Sequence, residues 1–257
     1  IVRLERLAVI ASGRGTDFQS ILDHIKMNVL QDVKLTLLIC NTSDAYVMTR
    51  SRNAGIKTEY IEGIVGKKFP EKEDRRKARE EFDIKVIKEL KRQDITLIAL
   101  AGFNQIVSPV LIDLFSKKVM NIHPAYDTIQ YGGVGMYGER VHRAVLANNE
   151  QYSGCTVHYV DNTVDLGPVI LRQQVAVKSG DTIDSLSDRI LVWEHRSYSK
   201  AIQIHVDNEL ERRNSLATED FEDDEWEKKW NERQKNYIEY QREHSLDIYG
   251  KSFNEII

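Results

Sequence analysis

Apolar residues in this chain fall into two patterns that alternate. Residues 7–11, 35–41 and 94–103 are short, almost continuous apolar runs. Runs of this length read as strands buried on both faces, the habit of parallel sheets. Residues 58–61 and 119–122 are shorter candidates for the same sheet. Between them the apolar positions recur every three to four residues. Phe18, Ile21, Leu22 and Ile25 share one stripe over residues 18–27, and Phe82, Val86, Ile87 and Leu90 share another over residues 73–92. Residues 44–53 read as a helix stopped by Gly55, and Ser108-Pro109 opens another. Strand and helix alternating in this way predict an α/β fold with a doubly wound, mostly parallel sheet.

The pattern changes in the second half. Residues 131–138 hold four glycines and read as a loop, followed by a helix over 139–147 that carries His142 as a surface or capping residue. Residues 154–160 alternate like a strand, and residues 168–175 form its partner after a turn over 161–167. Such a hairpin extends the sheet in the antiparallel sense. Residues 182–208 read as a long helix. Beyond Leu210 the composition shifts: residues 219–225 are strongly acidic, and Trp226, Trp230, Tyr237 and Tyr240 line one face of a charged helix. The expected organisation is an α/β domain over residues 1–210 and a helical C-terminal extension over residues 211–257. The aromatic stripe is expected to dock on the chain's own body or on a second copy, giving a homodimer.

Composition narrows the function classes. The chain has 257 residues, 41% hydrophobic and 30% charged, enough for a buried core. A net charge of −4 gives no basis for nucleic-acid binding. No apolar run reaches the roughly 20 residues that span a bilayer, and residues 1–5 do not read as a signal peptide. Cys40 and Cys155 lie in apolar runs without metal-ligand spacing, which fits buried free thiols in a reducing, cytoplasmic setting. No metal site is expected.

Candidate chemistry gathers where such sheets bind ligands, at the C-terminal strand ends. Ser12-Gly13-Arg14-Gly15-Thr16-Asp17 joins the first strand to the first helix. Its glycines let backbone amides converge and the helix N-terminus adds partial positive charge, so the turn can cradle a phosphate. It lacks the third glycine of a dinucleotide fingerprint. The same residues also read as a capped turn with Thr16 or Asp17 at the N-cap. Asn121-Ile122-His123-Pro124 ends a strand. Residues two apart on a strand face one side, so an amide donor and an imidazole that titrates near neutrality stand together. That pair suits a reaction in which an oxyanion forms while a proton moves. On residue type alone, Asp165 reads as a turn residue before Gly167.

Taken in order, these segments resemble the phosphoribosylglycinamide formyltransferases, a family of folate-dependent formyltransferases. The resemblance runs from about Leu7 to Leu210. It rests on Ala11 with the turn up to Ile21, on Ala101-Gly102-Phe103, on Asn121-Ile122-His123-Pro124, on the strand 154–160, on Asp165-Leu166-Gly167-Pro168 and on Glu194-His195. It implies the formyltransferase α/β fold and transfer of a formyl group from 10-formyltetrahydrofolate, as co-substrate, to the amino group of glycinamide ribonucleotide, without a metal. It implies Asn121, His123 and Asp165 as catalytic residues, with Asp165 raising the pKa of His123. It implies Gly13, Arg14, Gly15, Thr16, Asp17, Pro124 and Glu194 as acceptor contacts. Arg79, Phe103, Asn104, Gln105, Ile106, Val107, Val160 and Val164 are the implied folate contacts, and His158 is implied as a supporting neighbour of the site.

Three departures accompany the resemblance. The family commonly has Asn where this chain has Asp17, and a carboxylate beside a phosphate is unfavourable unless it turns away to cap the helix. Met-Arg after the Phe is replaced by Asn104-Gln105, which removes a charge from the folate side; Arg79 is a candidate to restore it. Ser-Leu-Leu-Pro after His-Pro is replaced by Ala125-Tyr126-Asp127-Thr128-Ile129. The rival readings are a 10-formyltetrahydrofolate hydrolase, a formyltransferase for another amine such as an amino sugar nucleotide or initiator methionyl-tRNA, and a binding module without catalysis.

Overall fold

The computed structural model describes residues 4–214, 223–245, 248 and 251. The first three residues and residues 219–222 of the acidic run lie outside them. Seven strands form one sheet: β1 (Glu5–Ala11), β2 (Val33–Cys40), β3 (Lys57–Tyr60), β4 (Leu97–Leu100), β5 (Val119–His123), β6 (Tyr152–Tyr159) and β7 (Val169–Ala176). Their order is β3-β2-β1-β4-β5-β6-β7. The pairs from β3 across to β5 are parallel, and β6 and β7 are antiparallel, as the patterning predicts. The helices are α1 (Thr16–Lys26), α2 (Tyr46–Asn53), α3 (Lys72–Arg92), α4 (Pro109–Leu114), α5 (Thr128–Tyr131), α6 (Glu139–Ala147), α7 (Ile183–Asn214) and α8 (Asp223–Glu243).

The central strands are buried on both faces, which explains their continuous apolar runs. Leu7, Val9 and Ala11 of β1 point to one side, into a core with Phe18 and Ile21 of α1, Val47 of α2, Val141 of α6 and Tyr198 and Ile202 of α7. Ala8 and Ile10 point to the other side and meet Phe82, Val86 and Leu90 of α3 and Leu111 of α4. Strand ends from β1, β2, β4 and β5 therefore open on one rim. The sheet reverses its winding between β1 and β4, the place where ligands settle in folds of this kind.

Some bounds differ from the patterning. β4 is shorter than the run 94–103. Asp94 takes a positive φ of 48° and Ile95 N–H donates to Leu90 O, so these residues close α3, and Gly102 turns away at φ 61°. The stretch after Pro124 contains a helical turn, α5, that apolar periodicity does not reveal. Asp127 caps it by accepting from Ile129 N–H and Gln130 N–H. The boundary at Leu210 falls inside α7, which continues to Asn214.

α8 lies on the chain's own body. Trp230 and Tyr237 are fully buried beside Val29 and Met27, and Trp226 stacks on Trp230 at 5.9 Å. Tyr237 Oη donates to Ser20 Oγ at 2.8 Å, and Ser20 Oγ donates to the backbone oxygen of His195 at 3.0 Å. The buried part of the aromatic stripe, Trp230 and Tyr237, is thus spent on the chain's own body, and Trp226 and Tyr240 are half-buried beside it.

Candidate active site

β5 delivers the Asn-His pair. In its antiparallel register with β6, Asn121 stands opposite His158 and His123 opposite Thr156. Thr156 Oγ1 donates to Ala125 O at 2.8 Å and to Tyr126 O at 3.1 Å, which ties the chain after Pro124 back to β6. The turn between β6 and β7 brings in the third group. Thr163 N–H donates to Asp161 Oδ1, Leu166 N–H donates to Thr163 O, and Asp165 takes a positive φ of 60°. Asp and Asn enter that region more readily than other side-chain-bearing residues. Its carboxylate is carried back over β5.

There Asp165 Oδ1 accepts from Asn121 Nδ2 at 3.3 Å, and Oδ2 accepts from Gly133 N–H at 3.1 Å. His123 Nδ1 stands 3.4 Å from Oδ2. The other ring nitrogen of His123, Nε2, donates to the Tyr131 carbonyl at 2.7 Å, so the neutral ring carries its proton on Nε2 and turns a bare Nδ1 toward Asp165. His158 donates from Nδ1 to Tyr159 O at 3.0 Å, and its Nε2 is 3.3 Å from Asn121 Nδ2. The Gly-rich stretch makes this approach possible: a Cβ on Gly132 would lie 2.3 Å from Thr128 O and 3.1 Å from Asp165 Cβ.

The charge balance differs in one respect from the sequence expectation. Burial pushes the His123 imidazole down; Asp165 and the Tyr131 carbonyl push it up, and burial prevails, so the ring titrates below its ordinary value. Asp165 raises the histidine as expected but does not win. Burial also pushes Asp165 up, but His158, His123 and the Gly133 N–H outweigh it, and the carboxyl sits below its usual range. The resting site is a carboxylate beside a neutral imidazole.

Toward β1 the site continues into the Gly-rich turn. Gly15 is the N-cap of α1 at φ 74°, and a Cβ there would meet Val47 Cγ2 at 2.4 Å. The turn is braced from outside. Val47 N–H donates to Gly13 O at 3.1 Å, Arg50 Nε donates to Arg14 O at 3.0 Å, and Ser12 N–H donates to Gly102 O at 3.2 Å. No side chain caps α1, so neither Thr16 nor Asp17 acts as the N-cap. Asp17 sits inside the first turn with its carboxyl turned toward α7, where His195 Nε2 is 3.8 Å away. The uncapped first turn keeps its orphan N–H groups for an anion.

Residues 5–202 match the formyl transferase family. The chain belongs to that family. It is 30% identical over 211 residues to the phosphoribosylglycinamide formyltransferase of Escherichia coli (strain K12), covering 82% of this chain and 92% of that one. It is 32% identical over 202 residues to the chloroplastic phosphoribosylglycinamide formyltransferase of Vigna unguiculata; that match covers 79% of this chain and 61% of the relative, less than two thirds of its length. The crystal structure of glycinamide ribonucleotide transformylase 1 from Symbiobacterium toebii shares its fold at a TM-score of 0.69 and 30% identity, covering 80% of this chain and 89% of that one.

This formyl transferase gathers Asn121, His123, Asp165 and His158 into one cluster, and Gly13 to Asp17 at a strand end on the same rim. Glu194 lies on α7 close enough to feel the charge of Asp17. Among the expected folate contacts, Phe103 stacks on Phe82 at 6.2 Å. Arg79 lies one helical turn before Asp83, whose Oδ2 accepts from Ser108 N–H, so Arg79 flanks the loop from Phe103 to Val107. Ile106 is half-buried, Val107 is buried against α3 and α4, and Val160 N–H donates to Val119 O. Pro124 and Val164 are half-buried and Arg14 is exposed.

The two residues that replace Met-Arg do bracing work. Asn104 Oδ1 accepts from Ser12 Oγ and from Asn41 Nδ2, both at 2.9 Å, and so joins the ends of β1, β2 and β4. Gln105 is buried and its Oε1 accepts from Ile64 N–H at 3.0 Å. Sequence reasoning missed Tyr131, Gly133 and Thr156, whose contributions are mostly backbone groups or a buried hydroxyl. It also misplaced His142, which is 3% exposed under the site and held down to about 4 by burial, with His123 adding to the effect.

Proposed function

We propose that this chain transfers a formyl group from 10-formyltetrahydrofolate to the amino group of glycinamide ribonucleotide in purine biosynthesis. The observation that carries this reading is the joint presence of an amide donor, an imidazole and an ionised carboxylate, Asn121, His123 and Asp165, on the same rim as an uncapped, braced Gly-rich helix start. An amine acceptor with a phosphate needs both parts.

The acceptor phosphate sits on the first-turn amides of α1, held by Gly13, Gly15 and Thr16, and Glu194 faces its ribose hydroxyls. The folate lies along Phe103 to Val107 and Val160 to Val164. Two buried donors there have no hydrogen-bond partner among the described residues, Arg79 Nε and Gln105 Nε2, and both suit a carboxylate-bearing ligand. The amine nitrogen attacks the formyl carbon and a C–N bond forms. The carbonyl electron pair moves onto oxygen, where Asn121 Nδ2 donates; one such donor is typically worth ~3 kcal/mol. The two bonds it makes at rest are both 3.3 Å long and are readily re-aimed. The proton lost by the attacking nitrogen passes through Asp165, or a water it holds, to the departing folate nitrogen as that C–N bond breaks. His123 Nδ1 holds that same proton in transit, donating Nδ1–H to Asp165 while the oxyanion stands, and releases it as the folate nitrogen leaves.

The reaction calls for small-molecule partners. A reducing, cytoplasmic setting belongs to the same reading, supported by Cys40 and Cys155, both buried and free. No helix among the described residues is long and apolar enough to cross a membrane. The test is direct: purified protein with 10-formyltetrahydrofolate and glycinamide ribonucleotide yields tetrahydrofolate and formylated nucleotide together. Tetrahydrofolate release at the same rate without the amine would replace this reading with hydrolysis.

A further inference from the structure

Tyr131 joins His123 to a second pocket, one of about 380 Å³ that none of Asn121, His123, His158 or Asp165 lines. Its walls include Tyr126 and Asp127, from the stretch in which this chain departs from the family, Tyr131 of α5, and Glu150, Tyr152 and Ser153, where α6 leads into β6. The volume falls within the ~300–1,000 Å³ of small-molecule sites. Tyr126 and Tyr152 are 39% and 53% exposed. Ser153 is 3% exposed, and its buried Oγ has no hydrogen-bond partner among the described residues. No lysine, arginine or histidine lines the pocket. Both carboxylates hold α5. Asp127 Oδ1 caps its start, accepting from Ile129 N–H at 2.9 Å and Gln130 N–H at 3.2 Å. Glu150 Oε1 accepts from the Tyr131 hydroxyl at 2.6 Å, while Asn148 Nδ2 and Gln130 Nε2 donate to that hydroxyl at 2.9 and 3.0 Å. Asp127 Oδ2 and Glu150 Oε2 accept from no protein donor among the described residues.

We propose that this pocket is a second ligand site, for a small organic cation of the amine or guanidine class, and that its occupant acts on His123 through Tyr131. Two carboxylates with unused acceptor oxygens call for N–H donors and positive charge. The two exposed tyrosines suit the same ligand, since a cation is attracted to an aromatic face. Among the described residues no three His, Cys, Asp or Glu side chains gather to hold a metal ion, so the aromatic walls decide for an organic cation. The Ser153 hydroxyl offers one more acceptor at the inner wall. The occupant competes with the α5 N–H groups for Asp127 and with the Tyr131 hydroxyl for Glu150. α5 is a single turn, so loosening both its ends shifts the Tyr131 carbonyl, which accepts from His123 Nε2 at 2.7 Å. The ligand site stands apart from the formyl-transfer reading; the effect on turnover rests on it.

Calorimetry on the full chain without substrate tests the site, with 1,4-diaminobutane as probe and the uncharged 1,4-butanediol as control. The diamine is expected to bind at one saturable site and the diol not at all. Asp127→Asn keeps the capping oxygen and Glu150→Gln keeps an acceptor for the Tyr131 hydroxyl, so both variants should hold the wild-type Tm. Each should bind the diamine at least about ten-fold more weakly, as for loss of a hydrogen bond to a charged group. Equal affinity in the three proteins would overturn the site and leave diffuse attraction to a chain of net charge −4. Displacement of the diamine by an equal concentration of magnesium ion would overturn it too, in favour of a metal ion. In the formyl-transfer assay, saturating diamine is expected to lower wild-type kcat about five-fold, the effect of one hydrogen bond of ordinary strength, and to leave E150Q unaffected at the same concentration. The ring N–H resonance of His123, identified by its loss in His123→Asn, should shift as the diamine binds. A bound diamine with that resonance unmoved and kcat unchanged would overturn the link to His123. Absence of any formylated product would sink the formyl-transfer reading alone, and calorimetry and the resonance would still decide the site and the link.

Discussion

Asp165→Asn is the sharpest test of the catalytic cluster, because the substitution is small and its contacts are known. The carboxylate accepts from Gly133 N–H at 3.1 Å and Asn121 Nδ2 at 3.3 Å and faces His123 Nδ1 at 3.4 Å. An amide oxygen can keep one of the two accepted bonds, and Asn tolerates the positive φ of 60° at this position. The backbone turn should survive. The lost functions are the charge that stabilises an imidazolium on His123 and the atom that relays the proton. A positioned acid–base group contributes roughly 10²–10⁴ in rate, or about 2.7–5.5 kcal/mol at 1.36 kcal/mol per decade. We expect kcat to fall by that factor, with KM for both substrates within about three-fold, because the group acts mainly in the transition state. Turnover is followed as tetrahydrofolate release at saturating substrates, and Tm serves as the check on folding. A D165N protein with wild-type Tm and a kcat within a few-fold of wild type would refute the proton-relay role and leave Asp165 as a turn residue.

Other predictions concern the scaffold. Gly132→Ala puts a methyl 2.3 Å from Thr128 O; it should displace the Asp165 contact and lower kcat at least ten-fold on an overpacking cost of about 1–3 kcal/mol, and full activity would show that the loop yields freely. Trp230→Ala should cost about 3–5 kcal/mol, as for a buried aromatic, since Trp230 is 1% exposed; an unchanged Tm would show that α8 does not dock in solution. His142→Asn tests the buried neutral imidazole. His142 is lowered in the folded state from 6.5 to about 4, so the wild type loses stability as pH falls through that window, and the Tm of H142N should gain on it from pH 7 to pH 4. A gap constant with pH would mean that His142 stays exposed to protons in the fold.

Much of the fold is legible because parallel strands buried on both faces write themselves as unbroken apolar runs. Ala8 and Val9 point to opposite cores and both must be apolar. Residue types alternate along 154–160 and reveal β6, although that strand is buried along nearly its whole length; its partner β7 is half exposed. The cluster is legible only in part. Asn121 and His123 share a strand face, and strand periodicity predicts that much. Asp165 arrives through a loop whose geometry depends on a positive φ and on Gly133, so the resemblance, and not the local pattern, points to it. α5 is too short for periodicity and is set by one Asp127 cap. His142 misleads because it is a polar residue beside Val141, on the flank of the buried Val141–Val145 stripe of α6, and its residue type hides that burial. On the capped-turn reading Thr16 or Asp17 was expected to cap α1; Gly15 takes that position, and the Asp17 carboxyl turns toward α7.

The bond from Tyr237 to Ser20 spans 217 residues of chain. α1 is synthesised well before α8. Ser20 and His24 of α1, and Val29 just after it, therefore stay uncovered until α8 has been made. Contacts this distant in sequence also slow folding, because the loop must close before they form. A chain cut short before α8 would display an apolar strip beside an otherwise finished sheet, the kind of surface that chaperones and proteases act on. α8 thus completes the cover over the back of α1, the helix that opens at the Gly-rich turn.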